Sequence, residues 1–270
     1  MANLFDRLPE VPPGKDGRRR RRGIFLLPSL FTVGNMFCGY ACIVYSMSGR
    51  LEQAAPYIGI AIVLDMLDGR IARLTGTTSA FGVEFDSLAD VISFGAAPAV
   101  LAFAWGLDGQ GRVGWAAGFI FMSAAAMRLA RFNIQTSVQV DKRYFVGMPT
   151  PAAAGIVAAT IFAAPTLPEG HQLFPVFPLD YRAIAAVAVM LVPAALMVST
   201  IKYRSFKTIN FGYGPSYLPL LLFIVFIAFV AAKPKITFLI LAYTYLVAGF
   251  VELIIARVRA RRDERRAAAS

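Results

Sequence analysis

One apolar stretch of the chain ends Asp65-Met66-Leu67-Asp68-Gly69-Arg70-Ile71-Ala72-Arg73. The next opens Phe81-Gly82-Val83-Glu84-Phe85-Asp86-Ser87-Leu88-Ala89-Asp90. A carboxylate at the centre of a membrane-spanning helix costs about 2.5–3.5 kcal/mol on insertion scales, and less near the interface. Four such aspartates need something to offset them. At about 100° per residue, Asp65, Asp68 and Ala72 fall on one helix face, while Gly82, Asp86 and Asp90 stack at i, i+4 and i+8 on another. If the two stripes meet, four like charges repel unless cations neutralise them. An all-oxygen donor set favours hard divalent ions: Mg²⁺, Mn²⁺ or Ca²⁺. Gly69 and Gly82 leave room at the helix surface for a bulky ligand. Arg73 offers a bidentate donor for phosphate. Together these residues point to a diphosphate held by metal at the membrane face. Two other readings stay open on the residues alone: a proton or cation pathway, and interhelical pairing of the aspartates with Arg70 and Arg73.

The elements that must carry these residues are membrane helices. Hydrophobic residues make up 57% of the 270 positions and charged residues only 16%, and mean hydropathy is +0.61. Soluble domains average about 25% charged residues, and a 29.3 kDa globule has too little interior for so much apolar surface. The fold expected is therefore all-α: a polytopic bundle of about eight transmembrane helices, at 25–46, 54–75, 83–106, 113–131, 148–166, 183–200, 216–232 and 236–256, each near the ~20 residues that a span needs. Residues 1–24 form a disordered basic tail, 25–256 the transmembrane domain and 257–270 a second basic tail. With both termini cytoplasmic, only Arg50, Arg112, Arg182, Lys233 and Lys235 of the 27 Lys and Arg lie on the far side, the bias of the positive-inside rule. The net charge of +11 thus reflects topology and anionic membrane phospholipids, not nucleic acid. Cys38 and Cys42, in one apolar run, make neither a disulfide framework nor a zinc set and read as small buried hydrophobes. The single histidine, His171, falls in a loop, and no role is assigned to it or to Glu252.

The sequence resembles the CDP-alcohol phosphotransferase family, whose signature D-x2-D-G-x2-A-R-x8-G-x3-D-x3-D is met without departure by Asp65, Asp68, Gly69, Ala72, Arg73, Gly82, Asp86 and Asp90. The flanking stretches are similar to those of the branch that uses serine as acceptor: Leu27-Pro28-Ser29-Leu30-Phe31-Thr32-Val33-Gly34-Asn35, Ser93-Phe94-Gly95 with Ala97-Pro98, Arg128-Leu129-Ala130-Arg131-Phe132-Asn133, and Phe145-Val146-Gly147-Met148-Pro149-Thr150-Pro151. The resemblance implies that Asp65, Asp68 and Asp86 ligate two divalent ions (Mg²⁺ or Mn²⁺, with Ca²⁺ the other candidate). Asp90 would adjoin them and act as general base. Gly69, Ala72, Arg73 and Gly82 would bind the CDP-lipid, with Asn35 and Thr32 as neighbours of the nucleotide. It further implies a homodimer in the inner cell membrane with its active site near the cytoplasmic face.

The activity implied is attack of the L-serine hydroxyl on CDP-diacylglycerol, giving phosphatidylserine and CMP by metal-assisted direct displacement. A serine hydroxyl is a poor nucleophile at neutral pH, which calls for a base. A serine acceptor also calls for a cation opposite its carboxylate. Arg128 and Arg131, at i and i+3, and Asn133 end the fourth apolar run on the side of the aspartates. Basic residues at that helix end also fit topology alone. The alternatives are the same chemistry with glycerol 3-phosphate or inositol as acceptor, and a cation transporter. Lys142, Arg143, Lys202, Arg204 and Lys207 read as solvated inside-positive residues, and Pro149 and Pro151 as setting helix entry.

Overall fold

The computed structural model describes residues 26–76, 79–137, 144–166, 181–199, 202–204 and 218–267. The expected tail 1–24, His171, Lys142, Arg143 and Lys207 lie outside the described residues. The helices are α1 (Leu26–Met47), α2 (Leu51–Thr75), α3 (Ala80–Asp90), α4 (Ala97–Ala102), α5 (Arg112–Ser137), α6 (Thr150–Ala163), α7 (Tyr181–Val198), α8 (Leu218–Ala232) and α9 (Pro234–Ala267). Each expected apolar run corresponds to a helical stretch. Among the described residues, Ser29–Met47, Ala80–Gln110 and Arg112–Ile134 are long and apolar enough to cross a membrane. Large apolar side chains face outward along these helices, among them Leu30, Phe37, Tyr40, Leu88, Trp115 and Phe119. In a membrane bundle that surface meets lipid.

Three features depart from the expected series of plain helices. Two three-residue strands, β1 (Tyr144–Val146) and β2 (Lys202–Arg204), pair antiparallel with Phe145 opposite Tyr203. The all-α bundle carries this one short ribbon, which joins the α5–α6 and α7–α8 connections. Next, the third apolar run is interrupted. Val91–Ala96 and Phe103–Leu107 are π-helical. Pro98 has no N–H to return to the Phe94 carbonyl, and the N–H of Ala97 reaches back to Ile92 instead, widening the turn. Last, α9 runs on to Ala267, past the expected end at 256. Its 34 residues span about 50 Å, more than the ~30 Å hydrocarbon core.

The interior is built from small residues. Ala54, Ala55, Ala61, Ala97, Ala102, Ala125, Ala153 and Ala154 are buried where helices cross, around Ile58, Phe94, Leu101, Phe121, Ile156 and Met190. With no apolar surplus over lipid to drive association, close backbone approach lets dispersion do so. α1 packs along α2 and against α3 and the π turn after it, while α2 and α3 hardly touch each other. The aspartate-bearing helices are thus neighbours through α1 rather than a directly packed pair. Their turn is fixed at both ends. Gly76, at φ 62°, takes the left-handed conformation that stops α2, and the Ser79 hydroxyl caps α3 by accepting from the Gly82 N–H at 3.0 Å.

A second left-handed glycine locks α6 to α7. Gly147 has φ 85°, and an added Cβ would lie 2.4 Å from the Met197 carbonyl. The next N–H, of Met148, donates to the Leu196 carbonyl at 3.0 Å. Gly147→Ala is therefore expected to destabilise the fold by about 1–3 kcal/mol, read as a lowered unfolding midpoint in detergent. An unchanged midpoint would contradict the close approach.

Candidate active site

The four signature aspartates lie in the second halves of α2 (Asp65, Asp68) and α3 (Asp86, Asp90). Asp68 and Asp90 are buried, and Asp65 and Asp86 half-buried. Asp65, Asp86 and Asp90 each offer a carboxylate oxygen, and these oxygens lie within 4.8 Å of one another. Asp68 belongs to the same electrostatic group, since Asp86 and Asp90 both feel its charge. Its Oδ2, however, accepts a hydrogen bond from the Thr32 hydroxyl on α1. The aspartates converge as the sequence pattern implies, with three carboxylates at one point and the fourth tied to a neighbouring helix.

α1 supplies the other polar contacts. Asn35 is fully buried, and its Nδ2 donates to Asp90 Oδ1 at 3.0 Å. Its main-chain carbonyl accepts from the Ser93 hydroxyl at 2.9 Å. Asn35 and Thr32, expected beside the nucleotide, are both in direct contact with aspartates. Gly69, Ala72 and Arg73 follow Asp68 along α2. Arg73 is exposed and folds back so that its Nε donates to the Gly69 carbonyl at 2.7 Å. Gly69 has no neighbouring atom closer to a would-be Cβ than the Arg73 guanidinium at 4.0 Å, which leaves its face of α2 open. Gly82 is the residue whose N–H the Ser79 cap engages.

Of the expected acceptor residues, Arg128 and Asn133 make contacts toward α6 and α3. Arg128 on α5 interacts electrostatically with Asp90 and with Tyr245 of α9. Its Nη1 donates to Thr150 Oγ1 at 3.4 Å, and no carboxylate lies within ion-pair distance of it among the described residues. Asn133 donates from Nδ2 to Ser87 Oγ at 2.9 Å, tying α5 to the α3 turn between Asp86 and Asp90. Arg131 is half-buried one turn beyond Arg128. Neither Arg70 nor Arg73 makes an ion pair with the aspartates among the described residues, so simple Asp–Arg pairing does not account for the buried acids.

Among the described residues, the buried side-chain atoms without a hydrogen-bond partner are Asn35 Oδ1, Asp86 Oδ1 and Arg128 Nε. All three belong to residues that contact Asp90 or interact with its charge. Leaving such an atom unpaired costs about 1–3 kcal/mol. The two unsatisfied acceptors belong to Asp86 of the cluster and to Asn35, which holds Asp90, and the unsatisfied cationic donor belongs to Arg128 on α5. The three converging carboxylates fit a divalent cation, and Arg128 fits an anion.

The family model for CDP-alcohol phosphatidyltransferase matches residues 25–201. The chain belongs to that family. It is 36% identical over 240 residues to the CDP-diacylglycerol–serine O-phosphatidyltransferase of Helicobacter pylori, an alignment covering 87% of this chain and 94% of that protein. The archaetidylserine synthase of Methanothermobacter thermautotrophicus is 32% identical over 179 residues, covering 66% of this chain and 69% of its own. The Saccharomyces cerevisiae CDP-diacylglycerol–serine O-phosphatidyltransferase is 37% identical over 140 residues, covering 47% and 50%. The matched region of the family model contains the whole acidic cluster together with α1, α5, α6 and α7.

Ser87, Ser93, Thr150 and Tyr245 were not apparent as site residues in the sequence. Ser93 lies three positions after Asp90, one turn on the same face, and that spacing was the available signal. Thr150 lies in one of the stretches that carry the family resemblance, and Tyr245 carries no mark; only the packing of α6 against α5, and of α9 against α6, brings them near Arg128.

The cluster makes a direct demand on metal affinity. Asp86→Asn is expected to weaken Mn²⁺ binding by at least about tenfold, measured by electron paramagnetic resonance. Glu84→Gln, changing an exposed acid on the same helix outside the cluster, leaves it unchanged. Equal effects of the two substitutions would dissociate the cluster from metal binding.

Proposed function

We propose that the chain transfers the phosphatidyl group of CDP-diacylglycerol to the hydroxyl of L-serine, releasing CMP. The observation that carries this reading is the meeting of Asp65, Asp86 and Asp90 at one point, in a chain that aligns over most of its length with a serine O-phosphatidyltransferase. Two divalent ions, Mg²⁺ or Mn²⁺, held by Asp65, Asp68, Asp86 and Asp90, would neutralise the diphosphate and polarise its phosphorus. Asp68 would join them by exchanging its bond to Thr32.

The remaining chemistry belongs to the side chains. Gly69 and Ala72 leave the α2 surface low enough for the nucleotide to lie against it. Arg73 is positioned to exchange its contact with the Gly69 carbonyl for a phosphate oxygen. Arg128 receives the serine carboxylate, with Thr150 holding one guanidinium nitrogen, and Arg131 and Asn133 border that pocket. Asp90 accepts the proton of the serine hydroxyl as the serine oxygen bonds to the phosphorus that carries diacylglycerol. The bond from that phosphorus to the bridging oxygen breaks, and CMP leaves with the oxygen. The displacement is direct and needs no covalent enzyme intermediate.

The site would face the cytoplasm in an inner cell membrane crossed by eight spans, with both termini inside and two copies per assembly. The distribution of basic residues supports this sidedness. The ion pair of Glu52 with Lys235, at 2.6 Å, joins the starts of α2 and α9.

Purified protein given CDP-diacylglycerol, Mn²⁺ and labelled serine is expected to release CMP and form phosphatidylserine, with glycerol 3-phosphate and inositol failing to compete. Failure of folded protein to make the product rejects the reading, and product from another acceptor reassigns it. In the same assay Arg128→Ala raises the serine KM by about 10- to 100-fold and the CDP-lipid KM much less. Equal rises in both would remove Arg128 from the acceptor pocket.

A further inference from the structure

Thr32, Asn35 and Gly39 stand at i, i+3 and i+7 on α1, so they share one face. That face meets the acid-bearing elements at every one of these positions. Thr32 bonds Asp68, and Asn35 bonds Asp90. Gly39 lies so close to the π turn that an added Cβ would be 2.6 Å from Ser93 Oγ and 2.8 Å from Ser93 Cα. Ser93 in turn donates to the Asn35 carbonyl at 2.9 Å. Asp90 is the residue at which α3 gives way to the π-helical turn. Its backbone position is therefore set by how that turn docks on α1, and its carboxylate is held by the Asn35 amide.

One contact fixes the orientation of that amide. Its Nδ2 has Asp90 Oδ1 as partner, while its Oδ1 is buried without one. Turned over, it would set its own oxygen against a carboxylate oxygen and leave the amino group where the unpaired oxygen now lies. Asp90 thus keeps Oδ1 engaged with a neutral donor and Oδ2 free for the reaction. An amide is suited to this task. It fixes a carboxylate without neutralising it and does not exchange protons with it.

We infer that Asn35 is a positioning residue for the reaction: through its amide bond to Asp90, and braced by Ser93 and Gly39, it sets the direction of the carboxylate that accepts the serine proton. This rests on the proposal that Asp90 is the base. It differs from a nucleotide contact, since the Asn35 side chain is wholly enclosed and its amide nitrogen is already committed to Asp90.

The test compares Asn35→Leu, which keeps volume and removes the donor, with Ser93→Ala, which keeps Asn35 and removes the brace. The readouts are kcat, the KM for CDP-diacylglycerol, and Mn²⁺ affinity by electron paramagnetic resonance. Misdirecting a general base by a fraction of an ångström to an ångström costs about 10- to 100-fold in kcat, which is the loss expected for Asn35→Leu. Ser93→Ala loses less in the same sense; in both variants the CDP-lipid KM stays within about twofold, and Mn²⁺ affinity falls by less than kcat does, since Asp65, Asp68 and Asp86 keep their places. A parallel rise in the CDP-lipid KM would make Asn35 a nucleotide contact and overturn the inference, as would an unchanged kcat. Should Asn35→Leu fail to fold, an unchanged kcat in Ser93→Ala overturns it alone. Asp90→Asn separates the two levels. Normal turnover there removes Asp90 as base, whereas lost turnover with intact Asn35→Leu activity removes only the role of Asn35.

Discussion

Carboxylates gathered in an apolar bundle repel one another and have lost water, and most of this architecture is arranged around that cost. Asp65, Asp86 and Asp90 bring oxygens within 4.8 Å, in a setting where the charge of one is weakly screened from the next. The neutral donors present, Thr32 on Asp68 and Asn35 on Asp90, orient the acids without cancelling their charge. The cation nearest to them in effect, Arg128, forms no ion pair among the described residues. Protein groups alone leave the cluster short of positive charge, which is the state of a site made for divalent ions and a diphosphate.

The remaining elements act as spacers and braces for that cluster. α2 and α3 make few direct contacts, and α1 packs on both. Gly76 ends α2, and Ser79 caps the start of α3. The π turn after Asp90, forced by Pro98, shifts the face that follows and puts Ser93 against α1. On the far side of the site, α5 contributes Arg128 and Asn133, and α6 and α9 bring Thr150 and Tyr245 to Arg128.

Much of this was legible in the residues. Apolar runs of near-spanning length located each long helix, because burial in lipid demands continuous apolar sequence. The i, i+4, i+8 stacking of Gly82, Asp86 and Asp90 gave the face on which the acids meet, because helix geometry is local. What sequence did not disclose depends on crossings between helices. The family resemblance puts Thr32 and Asn35 beside the nucleotide, but their pairing with Asp68 and Asp90 is a property of how α1 crosses α2 and α3. The π turns escaped for a related reason: Pro98 signals an interruption, but not whether the helix kinks, stops or widens. The ribbon of β1 and β2 escaped because two three-residue strands carry too little alternation to stand out from loops.

The central claim is that these side-chain oxygens cage metal. Its most direct measurement is diffraction from crystals grown with Mn²⁺ and a CDP-lipid, collected at an energy where manganese scatters anomalously. The account predicts anomalous peaks between α2 and α3, within coordination distance of Asp65, Asp86 and Asp90 and of the diphosphate. A bound nucleotide with no peak there, or with manganese held elsewhere on the protein, would contradict it.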